Sequence, residues 1–118
     1  MDEQMQATAL ASLNDEQNGA YLYEALASAE KDPRLSEVYH RMAAVESRHA
    51  DEWVERLKSG GVAIPEFSPN WRSRTLAWVA HRMGVSAVLP TVIGNERKDS
   101  LKYASIPGSA GMAADESS

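Results

Sequence analysis

Residues 42–49, Met-Ala-Ala-Val-Glu-Ser-Arg-His, restrict what this chain can fold into more than any other stretch does. Glu46 and His49 are three positions apart, and residues at that spacing lie on the same face of a helix. Residues 112–117, Met-Ala-Ala-Asp-Glu-Ser, repeat the first six residues of the motif with one change, and the sequence ends at Ser118, just before the position where a second histidine would follow Glu116. Two Glu-x-x-His motifs on different helices are typical of a dinuclear metal site inside a helical bundle.

The first half of the sequence is typical of two long helices joined by a tight turn. Residues 3–31 are rich in strong helix formers, and Asp32-Pro33 ends this helix and begins a second one over 33–58. A Ser-Gly-Gly run then ends the second helix. We therefore expect an antiparallel helical hairpin over residues 1–61.

The second half follows a connector at residues 62–69. We expect a short helix over 70–83 and then a long apolar helix over 85–104, bent at Pro90. The sequence thus predicts an all-α fold, with the whole chain as one antiparallel helical bundle. Residues 70–118 supply its short helix, its long helix and the start of a last helix, so the fourth helix is truncated at the C-terminus.

Apolar stripes at helical spacing run along both helices of the hairpin, and carboxylates interrupt them. The predicted stripes are Leu13, Glu16, Ala20, Tyr23 and Ala27 on the first helix, and Leu35, Val38, Tyr39, Met42, Val45, Glu46, His49, Trp53 and Leu57 on the second. A carboxylate that is removed from water needs a metal, a cation or hydrogen bonds. A buried ion pair would satisfy Glu46 and His49 without a metal, but the repeated motif favours a metal site.

A second Glu-x-x-His motif, Glu37 to His40, lies on the same predicted helix. Glu37 precedes Glu46 by nine residues, which is half a turn out of phase at about 100° per residue. We therefore expect Glu37 and His40 to form a solvated pair on the polar face.

Distance from the turn selects the carboxylate of the first helix. In an antiparallel hairpin, residues equidistant from the turn lie level, which puts Glu16 beside His49 and Glu24 about two turns away. We choose Glu16 as the metal ligand and keep Glu24 as the alternative. The same construction in the second half puts Glu96 level with Glu116.

Composition narrows the chemistry of the site. The chain has no cysteine, which excludes disulfides, thiolate-bound metals and iron–sulfur clusters. Residues 1–66 contain thirteen acids and six Lys/Arg, a net charge of −7, which disfavours nucleic acid as a partner. Residues 67–95 contain no acid, and Arg72, Arg74 and Arg82 lie near Trp71 and Trp78. That composition is typical of a membrane-interface helix, although we expect instead that the tryptophans pack inside the bundle.

Several segments resemble the ferritin-like superfamily, and within it the rubrerythrin-like (erythrin) domain. They are Tyr-Leu-Tyr-Glu-Ala-Leu-Ala at 21–27, Glu-Ser-Arg-His at 46–49, Val-Leu-Pro-Thr at 88–91 and Gly-Met-Ala-Ala-Asp-Glu at 111–116. More closely, the chain resembles the N-terminal cytosolic domain of the membrane-bound ferritins of the vacuolar-iron-transporter family.

The resemblance implies a di-iron centre, with manganese or zinc as substitute metals. Its ligands would be Glu16, Glu46, His49, Glu96 and Glu116. It also implies a ferroxidase, which oxidises iron(II) with dioxygen, on the cytosolic side of a membrane. A transmembrane iron/manganese transporter domain would follow in the full-length protein. The alternative is a metal-sensing or dimerisation module that regulates the transporter without turnover.

Truncation of the last helix predicts self-association. Three helices and a stub leave an apolar face uncovered, so we expect a homodimer or a higher homo-oligomer. Two copies of Glu16, Glu46 and His49 across a two-fold axis would then form a six-ligand site, resembling encapsulated ferritins.

Overall fold

The computed structural model describes residues 1–94, and every regular element in that range is helical. Helix α1 spans Glu3–Ala29, α2 spans Pro33–Ser59 and α3 spans Trp71–Met83. A 3-10 turn, Val85–Ala87, follows, and residues 89–94 are again helical. The all-α prediction is confirmed for this part of the chain. The predicted turn after the long helix and the start of the last helix lie outside the described residues.

Helices α1 and α2 form the predicted antiparallel hairpin. The carboxylate of Asp32 accepts a hydrogen bond from the Arg34 N–H at 2.9 Å, and Pro33 occupies the first turn of α2. The Ser36 hydroxyl donates to the Ala27 carbonyl at 2.7 Å and ties the start of α2 to the end of α1. The N-cap at Asp32 and the proline, which has no N–H and so needs no acceptor in the first turn, explain why one helix ends and the next begins here.

The hairpin buries two hydrophobic clusters, one on either side of its middle. The cluster near the turn includes Leu22, Leu26 and Tyr39 and also takes in residues from α3 and beyond, whereas the distal cluster contains Ala9, Leu13, Ala50, Trp53 and Leu57. The predicted apolar stripe of α2 is wrong at two positions, because Leu35 is 44% exposed and Val38 is 45% exposed. Leu35 lies level with the end of α1, and Val38 lies about 100° around the helix from buried Tyr39.

Helix α3 packs against α1, which therefore has neighbours on two faces. Asn70 caps α3 by accepting from the Ser73 N–H at 2.8 Å, and its own N–H donates to the buried Asn18 side chain at 2.9 Å. Asn18 also donates to the Asn14 carbonyl at 2.9 Å, so this amide fixes the start of α3 against the middle of α1. The packed face of α3 is made of small residues, Ser73, Ala77 and Ala80.

Two expectations for this region are wrong. Trp71 is 74% exposed and Trp78 is 61% exposed, so these tryptophans do not pack inside the bundle formed by the described residues. The long helix does not begin at Val85, because Gly84 takes a positive φ of 98° and a 3-10 turn follows it. Pro90 then falls in the first turn of the helical residues 89–94, where its missing N–H costs no hydrogen bond. No helix within residues 1–94 is long and apolar enough to cross a bilayer.

Candidate metal centre

Glu16 on α1 meets Glu46 and His49 on α2 in the interior of the hairpin. Their relative exposures are 1%, 5% and 0%. One ligand atom from each side chain can be chosen so that all three lie within 4.8 Å of one another. Three members of the predicted ligand set are therefore together.

The distance between two of these atoms is close to that of two ligands on one metal ion. His49 Nδ1 and Glu16 Oε2 are 3.5 Å apart. Ligands held about 2.1 Å from one ion lie about 3.4 Å apart in tetrahedral geometry and about 4.2 Å apart when they are opposite. The observed distance is close to the tetrahedral value but long for a hydrogen bond, which is normally about 2.7–3.2 Å. The same distance is also compatible with the alternative, a buried ion pair between Glu16 and a protonated His49 without a metal.

A glycine makes room for the second carboxylate. A Cβ atom added to Gly19 would lie 3.1 Å from Glu46 Cδ and 3.2 Å from Glu46 Oε2. Glycine inside a helix costs about 1 kcal/mol relative to alanine, so its presence here needs a packing reason. Because the carboxylate of Glu46 occupies the space of the missing side chain, Gly19 is the structural feature that admits this group to the interior.

The cluster lies in an environment that would strengthen metal binding. Leu13, Ala50 and Trp53 of the distal hydrophobic cluster lie within about one helical turn of Glu16 or His49. On the other side of the candidate site lie Tyr23 and Ala43, which belong to the cluster near the turn. Water exclusion raises the strength of electrostatic interactions, because the effective dielectric constant falls. Two buried carboxylates and an imidazole are also the donor set that divalent iron, manganese and zinc accept. The residues present therefore fit a divalent metal.

One turn before Glu16, Ser12 is fully buried, and its hydroxyl has no hydrogen-bond partner within residues 1–94. Sequence reasoning missed both Ser12 and Gly19. A glycine in the middle of a long helical pattern was an available signal, since it usually has a packing or functional reason. Ser12 gave no comparable signal, because serine on a helix is most often solvated.

The second Glu-x-x-His motif lies outside the cluster, as its phase predicted. Glu37 and His40 are exposed, but they do not pair with each other. His40 Nδ1 lies 2.8 Å from Glu24 Oε1, and Arg41 Nε lies 3.3 Å from Glu37 Oε1. Glu24 is thus level with His40 across the hairpin, and the structure does not bring this alternative ligand to the buried cluster.

The other two predicted ligands, Glu96 and Glu116, lie outside the described residues.

Beside the cluster, a groove of about 950 Å³ opens between α1, α2 and α3. Its walls include Ser47 and Ala50, which adjoin two of the predicted ligands, but none of the predicted ligands themselves. The site is therefore assigned from its side-chain chemistry and burial and not from this groove.

No protein-family model matches the chain, and no curated protein or solved structure matches it.

Proposed function

We propose that this chain binds iron(II) through Glu16, Glu46 and His49 and acts as a ferritin-like metal-binding domain. The proposal depends on one observation: two carboxylates and an imidazole lie close together in the protein interior, with possible ligand atoms within 4.8 Å of one another. The space reserved for the Glu46 carboxylate at Gly19 supports it independently. Manganese and zinc are the substitute metals.

Each of the three side chains has a separate task in this proposal. Glu16 and Glu46 supply negative charge that a divalent ion neutralises, which removes the cost of burying two carboxylates. His49 supplies a neutral nitrogen ligand, and its position three residues after Glu46 puts both on one face of α2. Bound iron would supply electrons to dioxygen if the domain is a ferroxidase.

A dinuclear centre needs more ligands than these three. In helical-bundle sites of this class, six side chains from four helices hold two ions. We propose that Glu96 and Glu116 extend the set, or that a second copy of the chain contributes its own Glu16, Glu46 and His49 in a homodimer. A transmembrane iron/manganese transporter domain in the full-length protein, with this domain on the cytosolic side, remains part of the proposal. Its support is the resemblance in sequence.

The alternative function is a metal sensor or dimerisation module without turnover. It is favoured by the number of candidate ligands among residues 1–94, since three suffice for one ion but not for the pair of ions that dioxygen chemistry at such centres uses. The two functions differ in one measurable property. A ferroxidase oxidises added iron(II) rapidly in air and repeats the reaction, whereas a sensor retains iron(II).

The test is anaerobic titration of the metal-free chain with iron(II), followed by admission of air. We expect saturable binding, at two ions per chain if one chain completes the site and at two ions per dimer if two copies share it. Glu46→Ala and His49→Ala should weaken this binding by at least tenfold. Light scattering with and without iron(II) separates completion within one chain from completion across a dimer.

The chain provides a matched control for each variant. Glu37→Ala and His40→Ala remove the same residue types at the same spacing on the same helix, outside the cluster. Both should bind iron(II) like the wild type. Equal losses in the two sets of variants, or no loss in either, would contradict the assignment of the site.

A further inference from the structure

Helix α3 turns its small side chains inward and its large ones outward. Ser73, Ala77 and Ala80 are 7%, 6% and 1% exposed and face the rest of the protein. Trp71 and Trp78, seven residues apart and therefore on one stripe of the helix, are 74% and 61% exposed. Small residues let α3 lie close to α1, but they do not explain why two tryptophans face outward.

Basic side chains share this outward stripe. Arg74 and Thr75 lie between the two tryptophans and line a shallow cleft with them. The guanidinium of Arg82 lies over the Trp78 ring, 5.7 Å from its centroid. We name the surface formed by Trp71, Arg74, Trp78 and Arg82 the α3 outer face.

Residues 67–94, which include the α3 outer face, differ in charge from the rest of the described chain, although Arg74 and Trp78 also line the groove that Glu24 and Asp51 border. Residues 67–94 contain three arginines and no acid, whereas residues 1–66 carry a net charge of −7. Exposed apolar side chains continue past the helix, with Met83 at 71% and Ile93 at 52% exposure. An exposed surface that combines aromatic, apolar and basic groups marks an interaction site whose partner is negatively charged.

We propose that the α3 outer face docks on an anionic lipid surface. Tryptophan rings favour the boundary between headgroups and acyl chains, and arginine forms paired hydrogen bonds with phosphate oxygens. Met83 and Ile93 add apolar area that can enter this boundary but would gain nothing from a nucleic-acid backbone.

A second copy of the chain fits the same surface less well. Two-fold packing of α3 on α3 would bring Arg74 and Arg82 close to their own copies, and residues 67–94 contain no acid to compensate. Packing of α3 on the acidic hairpin of another copy is the rival arrangement, and the oligomeric state of the tryptophan variant described below distinguishes it from lipid docking.

The experiment measures partitioning of the metal-free chain onto vesicles, so its outcome does not depend on the metal site. Phosphatidylcholine vesicles are compared with vesicles that also contain phosphatidylserine, and tryptophan emission and co-sedimentation are recorded. We expect binding and a blue shift only with the anionic vesicles, and both should fall as salt rises because exposed charges are screened.

Two charge-matched double variants locate the binding surface. Each arginine near an anionic surface is worth about fivefold in partitioning, so Arg74→Gln with Arg82→Gln should weaken binding by roughly 25-fold. Arg34→Gln with Arg41→Gln makes the same change in net charge on exposed positions of α2 and should leave binding within about twofold of wild type.

A third variant tests the aromatic part. Trp71→Ala with Trp78→Ala should abolish the blue shift, since the remaining Trp53 is only 3% exposed. Circular dichroism confirms that each variant is folded. Absence of binding to anionic vesicles, equal binding to both vesicle types, or equal losses in the two arginine pairs would overturn the proposal. If the wild type binds no lipid but forms a dimer that the double tryptophan variant does not form, the surface belongs to a contact with a second copy instead.

Discussion

Replacing Gly19 with alanine tests whether the interior of the hairpin is shaped for the Glu46 carboxylate. Alanine is about 1 kcal/mol more favourable than glycine inside a helix, so helix propensity alone predicts a more stable protein. Against this gain, the new Cβ would lie 3.1 Å from Glu46 Cδ. Carbon atoms pack best at about 3.5–4.0 Å, so the carboxylate must move by several tenths of an ångström.

Helix propensity and the close Cβ contact have opposite effects on the stability of the metal-free protein, but only the contact affects metal binding. Overpacking costs typically about 1–3 kcal/mol, which cancels or exceeds the gain in helix propensity. Metal sites tolerate ligand shifts of only about 0.2 Å. We therefore expect Gly19→Ala to weaken iron(II) binding by about 10–100-fold, the range seen when groups that orient metal ligands are lost.

A double-mutant cycle with Glu46→Ala separates the contact from any general effect on the helix. In the Glu46→Ala background the carboxylate is absent, so Gly19→Ala should stabilise the protein by about 1 kcal/mol and leave residual metal binding unchanged. Urea unfolding gives the stabilities, and anaerobic iron(II) titration gives the affinities. Wild-type affinity in the Gly19→Ala single variant, or the same loss of stability in both backgrounds, would refute the reasoning.

Two further predictions concern the parts of the fold that hold the site in place. Asn18→Ala removes the acceptor for the Asn70 N–H and the donor to the Asn14 carbonyl. It should cost about 1–3 kcal/mol in urea unfolding and speed amide exchange in the first turn of α3, and unchanged exchange there would contradict this role. Burial raises the pKa of Tyr39 above its ordinary value of 10.0, and the Glu30 carboxylate adds to this effect. The neutral Tyr39 side chain therefore contributes stability that is fully present below that value and is lost as the pH rises through the folded-state pKa. Tyr39→Phe should therefore lose less stability than wild type between about pH 9 and about pH 11 in urea unfolding, and identical losses would contradict the cause given.

The hairpin and half of the site were predictable from the sequence because helical geometry is regular. Every residue advances about 1.5 Å and turns about 100°, so distance from the Asp32-Pro33 turn predicted that Glu16 lies level with His49. The contact of Glu24 with His40 follows from the same rule. Predicting these contacts required only the phase of each helix and the position of one turn.

The errors came from residues whose environment depends on a neighbouring element. Helix propensity and hydropathy do not tell which side of α3 faces α1, and the exposed Trp71 and Trp78 contradict the usual rule that large aromatic residues are buried. The end of α3 at Gly84 was predicted, but the 3-10 turn after it was hidden because residues 85–88 have the apolar composition of a helix. Gly19 looked like a weak point in α1 until the carboxylate opposite it was known.

By itself, the sequence determined the helical class, the hairpin and the choice of Glu46 over Glu37, since spacing along one helix decides which side chains share a face. Only the tertiary structure decided that the ligand atoms of Glu16, Glu46 and His49 can gather within 4.8 Å. It also decided that Gly19 leaves the space for this gathering. The physical reason is that the distance between two helices depends on the volumes of all the side chains between them, and no periodicity in one chain segment reports that distance.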